Sequence, residues 1–113
     1  MMEEKMTILC VSNFYEKKYY LNPEFTGLPK TVKKDLQIMC VLFTEEVGGV
    51  LTFGFEPDGD LKINVTADEG DLLFDEIGSE LKIKEIQRTR QTLLESLEMY
   101  YKVFFLGEDL EEV

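Results

Sequence analysis

The stretch from Asp75 to Leu106 constrains the fold more than any other part of the chain. Within it Ile83, Ile86, Arg90, Leu93, Leu97, Tyr100 and Phe104 follow steps of three and four, the spacing that keeps one face of a helix apolar and lets it pack along a partner. A continuous helix from Ser79 to Leu106 would be about 40 Å long, whereas a compact chain of this size has a radius of gyration of about 13 Å. The expectation is therefore that this edge outreaches a one-chain core and meets either the earlier helices or a second copy of itself. The residues expected to make that contact are Ile83, Ile86, Arg90, Leu93, Leu97, Tyr101 and Phe105.

Arg90 interrupts an otherwise apolar seam. Its guanidinium can snorkel to water, pair with a carboxylate such as Glu85 or Glu95 of a neighbouring helix, or fix the register of two helices. The pairs Tyr100-Tyr101 and Phe104-Phe105 put aromatic area on two adjacent faces. The spacing assigns Tyr100 and Phe104 to the core, and leaves Tyr101 and Phe105 for the kind of aromatic surface that interfaces use.

Earlier in the chain, Met6 to Leu21 reads as a first helix with Ile8, Val11, Tyr15 and Tyr19 on one side, against a competing strand over Thr7 to Val11. Asn22-Pro23 stops it, and Pro29 opens a second helix that runs to about Val47 and ends at Gly48-Gly49. Ile38 to Thr44 is equally strand-like in composition. The spacing of Leu28, Val32, Leu36, Met39, Phe43 and Val47 favours the helix. Val50 to Phe55 and Leu61 to Ala67 are β-rich runs joined by Glu56-Pro57-Asp58-Gly59-Asp60, a hairpin with one buried and one wet face. Its edges are a natural place for a second copy to pair. Asp68-Glu69-Gly70-Asp71 then supplies acids for the start of a helix at Leu72, and Gly78-Ser79 sits where a kink or a fresh start is expected.

The predicted fold is α+β, in the order two N-terminal helices, a β-hairpin, and a long C-terminal helix kinked near Gly78. Residues 1–113 form one domain, with a mobile acidic tail over 108–113. The chain is 44% hydrophobic and 31% charged, enough apolar content for one core. Its longest apolar run, Ile38 to Phe43, is far short of the roughly 20 residues of a membrane span. The first residues lack the order of a secretory signal. A cytoplasmic protein with no membrane partner is expected. A net charge of -11 makes nucleic acid a poor partner.

No catalytic constellation emerges. The chain has no His, so Ser12, Ser79, Ser96, Cys10 and Cys40 lack the usual base, and the two cysteines read as small buried hydrophobes. Gly48-Gly49 and Asp58-Gly59 fit no phosphate-binding loop. Asp58-Gly59-Asp60 begins like a calcium loop but lacks its glycine and its terminal bidentate acid. The acids from Asp68 to Glu76 are dense enough to bind a divalent ion, although a solvated loop and helix start explains them as well.

The runs LQIMCVLFTEEVGGVLTFGF, DEIGSELKIKEIQ and LESLEMYYKVFFLGE resemble those of a family of short acidic proteins from anaerobic Gram-positive bacteria, to which no activity is assigned. That resemblance covers nearly the whole chain and implies no catalytic residue, cofactor or partner. The residues by themselves point first to a homodimeric protein-interaction module without a cofactor. Two alternatives remain open: an acidic inhibitor or mimic of a basic protein site, and a metal-dependent or ligand-binding enzyme using the Asp68 to Glu76 acids.

Overall fold

A computed structural model describes residues 5–108. The chain begins with strands, which corrects the expectation of two N-terminal helices. Strand β1 covers Thr7–Asn13 and strand β2 Lys18–Leu21. A short 3-10 turn, Pro23–Phe25, leads to helix α1, Lys30–Val47. Strands β3 (Val50–Phe55) and β4 (Leu61–Thr66) follow, then helices α2 (Glu76–Thr89) and α3 (Gln91–Phe104). The α+β class, the second predicted helix and the hairpin over β3 and β4 stand in the structure. The competing strand reading of Thr7 to Val11 replaces the helix.

The reason lies in pairing. Strand β1 is antiparallel to β2 on one side and to β3 on the other, in a sheet of order β2-β1-β3-β4. As an interior strand it is apolar on much of both faces, which erases the alternation that marks a half-buried strand. The turn before β2 is closed by Asn13, whose Oδ1 accepts from the Glu16 N–H at 3.1 Å, and by Lys17 in the left-handed region at φ 55. Tyr15 and Tyr19, assigned to one helical side with Ile8 and Val11, thus belong to a turn and to the returning strand.

The register sets one apolar face. Leu21, Cys10, Phe53 and Ile63 are partners in one row across the sheet, and Tyr19, Ser12, Leu51 and Val65 in the next. Strands β2 and β3 run parallel with β1 between them, and α1 makes the crossover on top of β1 and β3. It seats Leu36, Met39, Cys40, Phe43 and Val47 there, while α2 lies beside α1 and α3 closes over β4. No helix among the described residues is long and apolar enough to cross a membrane.

The closing rod is two helices of 14 residues each. They part at Arg90, whose backbone leaves the helical region at φ -116, ψ 29. Just before it, the Thr89 hydroxyl donates to the Glu85 carbonyl at 2.8 Å, a back-bond that bends helices. The predicted kink at Gly78 is absent. Gly78 sits in the first turn of α2, where its N–H donates to the capping Asp75 carboxylate at 2.8 Å. Of the predicted acidic tail, Glu108 is exposed, and residues 109–113 lie outside the described residues.

Candidate functional site

Helices α1 and α2 lie side by side and leave a groove of about 340 Å³ between them. Its floor is Met39, Phe43 and Ile86, all buried in the core. Ile38 and Leu42, one turn apart on α1, form a wall and are 50% and 56% exposed. Ion pairs bridge the two helices: Lys82 Nζ to Glu46 at 2.6 Å and Arg90 Nη2 to Asp35 at 3.7 Å. The hydrogen bond to Glu46, reinforced by the nearby charges of Glu46 and Glu85, pushes the Lys82 ammonium up from its ordinary value. The groove is therefore an apolar trough with fixed charges along its margins.

Next to it, residues 67–75 form a loop where helix was expected from Leu72. The Tyr15 hydroxyl donates to the Asp71 carboxylate and accepts from the Asp68 N–H at 2.9 Å. The Asp71 bond is the main reason Tyr15 is pushed above its ordinary value. Asp71 Oδ1 also accepts from the Leu73 N–H at 3.0 Å, and the Asp75 N–H donates to the Val47 carbonyl at 3.1 Å. With its backbone pinned this way, the loop turns Phe74 against Gly48 and Gly49 and leaves Leu72 and Leu73 each 93% exposed.

The predicted seam is placed elsewhere. Ile86, Leu97 and Tyr101 are buried in the core of the chain itself, with Ile83, Leu93 and Phe105 packed against it. The seam therefore does not form a continuous outward stripe. Its third member, Arg90, is partly exposed and pairs with Asp35 of α1, a carboxylate outside the two named as its candidate partners. The aromatic assignment holds for Tyr100, which packs against the core, and is corrected for the other three. Tyr101 stacks on Phe55 at 4.3 Å and its hydroxyl bonds Thr7 Oγ1 at 3.1 Å, while Phe105 stacks on Phe25 at 4.6 Å and Phe104 is 69% exposed. Beyond Leu97 the inward row of the chain runs through Tyr101 and Phe105, with Tyr100 beside it and Phe104 turned outward.

Residues 6–109 match a family described as a family of unknown function, DUF6145. The chain belongs to the DUF6145 family. No curated protein and no solved structure matches it.

Two further acidic clusters among the described residues of this DUF6145 protein contribute to its turns and caps. In the stretch read as a possible metal site, Asp71 and Asp75 are taken up as a loop pin and a helix cap. Carboxylates that do converge are Glu56, Asp58 and Asp60, with oxygens within 4.8 Å of one another. They sit in the β3–β4 turn, where Asp60 N–H donates to Asp58 Oδ1 and Gly59 N–H to the Glu56 carbonyl. That is turn chemistry.

Beneath α1, Cys10 and Cys40 are free and fully buried, their sulfurs 3.9 Å apart. Their mutual hydrogen bond moves Cys10 down and, with burial, Cys40 up. The Tyr19 hydroxyl beside them is buried without a hydrogen-bond partner, and burial, then the Cys10 thiol, pushes it above its unfolded value of 10.0. Tyr19→Phe is expected to be neutral or to stabilise by about 1 kcal/mol, because it deletes an unsatisfied buried group rather than a bond.

The linkage has a definite sign. Above pH 10 the unfolded state releases the Tyr19 proton and the folded state keeps it, so stability declines as pH rises. Urea titrations at pH 8 and 10.5 should show a smaller decline for Tyr19→Phe than for the wild type. An equal decline would mean that Tyr19 ionises freely in the fold.

Proposed function

We propose that this DUF6145 member is a protein-interaction module that works as a homodimer. The supporting observation is where apolar area is left outside. Among the described residues, Ile38, Leu42, Leu72, Leu73, Ile77 and Leu81 are all exposed, and all lie on α1, α2 or the loop joining β4 to α2. Apolar patches of that kind mark interaction surfaces. Single exposed leucines are ordinary. Six large exposed aliphatics on α1, α2 and the loop that precedes α2 are not.

Homodimerisation makes the melting temperature depend on protein concentration by mass action. Light scattering should give twice the chain mass at micromolar concentration, and the thermal midpoint should rise with concentration. A monomer with a concentration-independent midpoint would refute the proposal.

A basic protein partner is the second reading, favoured by the net charge of -11 and by Asp35, Glu46 and Glu85 around the groove. Such a complex would be held by charge and would weaken steeply with salt. A homodimer closed by leucines would not.

A further inference from the structure

We propose that Cys10 and Cys40 are an oxidisable dithiol, which hydrogen peroxide converts to a disulfide that ties β1 to α1. This chemistry needs no second copy, since both thiols lie within one chain. They are the only cysteines of the sequence, so the product is a single intramolecular bond.

The first support is the approach of the two elements. Cys10 stands in the middle of the row Leu21, Cys10, Phe53, Ile63, and Cys40 faces it from the buried side of α1, with the sulfurs 3.9 Å apart. Two residues on in the strand and four on in the helix, Ser12 Oγ and Thr44 Oγ1 meet at 2.9 Å. These oxygens extend one atom beyond Cβ, as a cysteine sulfur does, so their direct contact means that the backbones of β1 and α1 run close here. A disulfide requires sulfurs at about 2.05 Å and Cβ atoms about 3.5–4.5 Å apart. The two thiols must therefore close by about 2 Å, a movement that side-chain rotation and a small shift of the helix supply.

The second support is a way in. Between the β1–β2 turn and α1 lies a cleft of about 200 Å³, which reaches Ser12 and Tyr19 on the sheet and Gln37, Val41 and Thr44 around Cys40 on the helix. A water molecule occupies about 30 Å³, so hydrogen peroxide fits the cleft, whereas a peptide-sized disulfide has no path to sulfurs that are fully buried. Tyr19 lines the cleft, and its hydroxyl, beside Cys10, is the buried group left without a hydrogen-bond partner. An orphaned buried group of this kind calls for an account. Here its O–H is placed to donate to the peroxide oxygen that departs. A metal is not the competing use, because among the described residues no third ligand converges on the two sulfurs.

The Cys10 thiolate attacks one peroxide oxygen: an S–O bond forms, the O–O bond breaks, and the proton given up by Cys10 ends on the departing hydroxide as water. Cys40 then attacks the sulfur of the resulting sulfenic acid. The S–S bond forms, the S–O bond breaks, and the Cys40 proton leaves with the hydroxyl as a second water. Two electrons pass from the thiols to the peroxide. Cys10 is the attacking sulfur because the Cys40 hydrogen bond favours its thiolate and moves it below the ordinary thiol value, while Cys40 is moved up.

The test treats the reduced full chain with a small excess of hydrogen peroxide in the absence of denaturant and maps its peptides by mass spectrometry. Both thiols should disappear together, a Cys10–Cys40 cross-linked peptide should appear, and a dithiol reductant should restore the starting mass. Closing the loop between them should raise the thermal midpoint by on the order of 10 °C. Cys40→Ala should halt the reaction at a sulfenic acid on Cys10, trapped by a 1,3-diketone. Tyr19→Phe should react at least about 10-fold more slowly without losing stability, an effect that a purely structural hydroxyl does not have; an equal rate would remove Tyr19 from the step. A cross-link that leaves the midpoint unchanged or lower would overturn the tie between β1 and α1. Thiols that survive peroxide, or a rate that saturates with peroxide at the rate of unfolding, would overturn the dithiol itself and leave Cys10 and Cys40 as small side chains that let α1 approach the sheet.

Discussion

Phe25→Ala is expected to lower the unfolding free energy by about 3–5 kcal/mol. Phe25 is fully buried although it belongs to a 3-10 turn of three residues between β2 and α1. It lies 5.7 Å from the Phe55 ring, 4.6 Å from Phe105, 6.4 Å from Tyr101 and 6.2 Å from Tyr100. One side chain from a loop therefore joins the sheet to the last helix. Its removal loses both the transfer energy of the ring and the aromatic contacts, worth about 0.5–1.5 kcal/mol per pair beyond area.

The site also resists collapse. Phe55 and Tyr101 are already stacked on each other at 4.3 Å, so they have little room to move into the space. The turn is fixed by Asn22, whose Oδ1 accepts from the Glu24 N–H at 3.0 Å. Against a typical domain stability of about 5–15 kcal/mol, this single change approaches the whole margin. Urea unfolding at fixed protein concentration measures it. A loss below about 1 kcal/mol would mean that the surrounding rings close over the gap.

Helix α1 and the β3–β4 hairpin were legible because their ends carry local chemistry. Pro29, Gly48-Gly49 and Asp58-Gly59 each dictate a backbone conformation without help from the rest of the chain. The first hairpin was not legible for the opposite reason. Ile8, Val11, Tyr15 and Tyr19 happen to hold helical spacing, and what overrules it is the pairing of β1 with β3, far along the sequence. Pairing at a distance leaves no trace in a local window.

The break at Arg90 lacked glycine or proline, so the seam read as one rod. With the rod cut into two helices of 14 residues, neither half outreaches the core, and the residues assigned to an outer face pack onto it. The groove was invisible for a related reason. Ile38 and Leu42 lie in the longest apolar run of the sequence, and only the placement of α2 shows that their side of α1 stays partly open. Leu72 and Leu73 were visible as residues but not as a protrusion. Their exposure follows from Tyr15 holding Asp71, a contact between segments 56 residues apart in the sequence.

Gly49→Ala is expected to destabilise by about 2–4 kcal/mol, through two effects that a neighbouring glycine separates. Gly49 is buried between α1 and β3 at φ +79, where an L side chain meets a penalty of roughly 1–2 kcal/mol. Its added Cβ would also lie 2.5 Å from the Thr66 carbonyl oxygen and 2.9 Å from the Phe74 ring. The ring can tilt. The carbonyl belongs to the backbone of β4, so relief requires moving the strand.

Gly48 supplies the control. It has φ +86, but the nearest atoms to its added Cβ are 3.8 and 3.9 Å away, ordinary contact distances. Gly48→Ala should therefore show a backbone penalty alone, about 1–3 kcal/mol for a conformation at φ +86, ψ -171 that is essentially reserved for glycine. The difference between the two variants measures how firmly Thr66 and Phe74 are held against Gly49, and with them the start of the loop that presents Leu72 and Leu73. Equal losses in urea unfolding would show that this corner yields, and that Phe74 is not the fixed base the exposed leucines need.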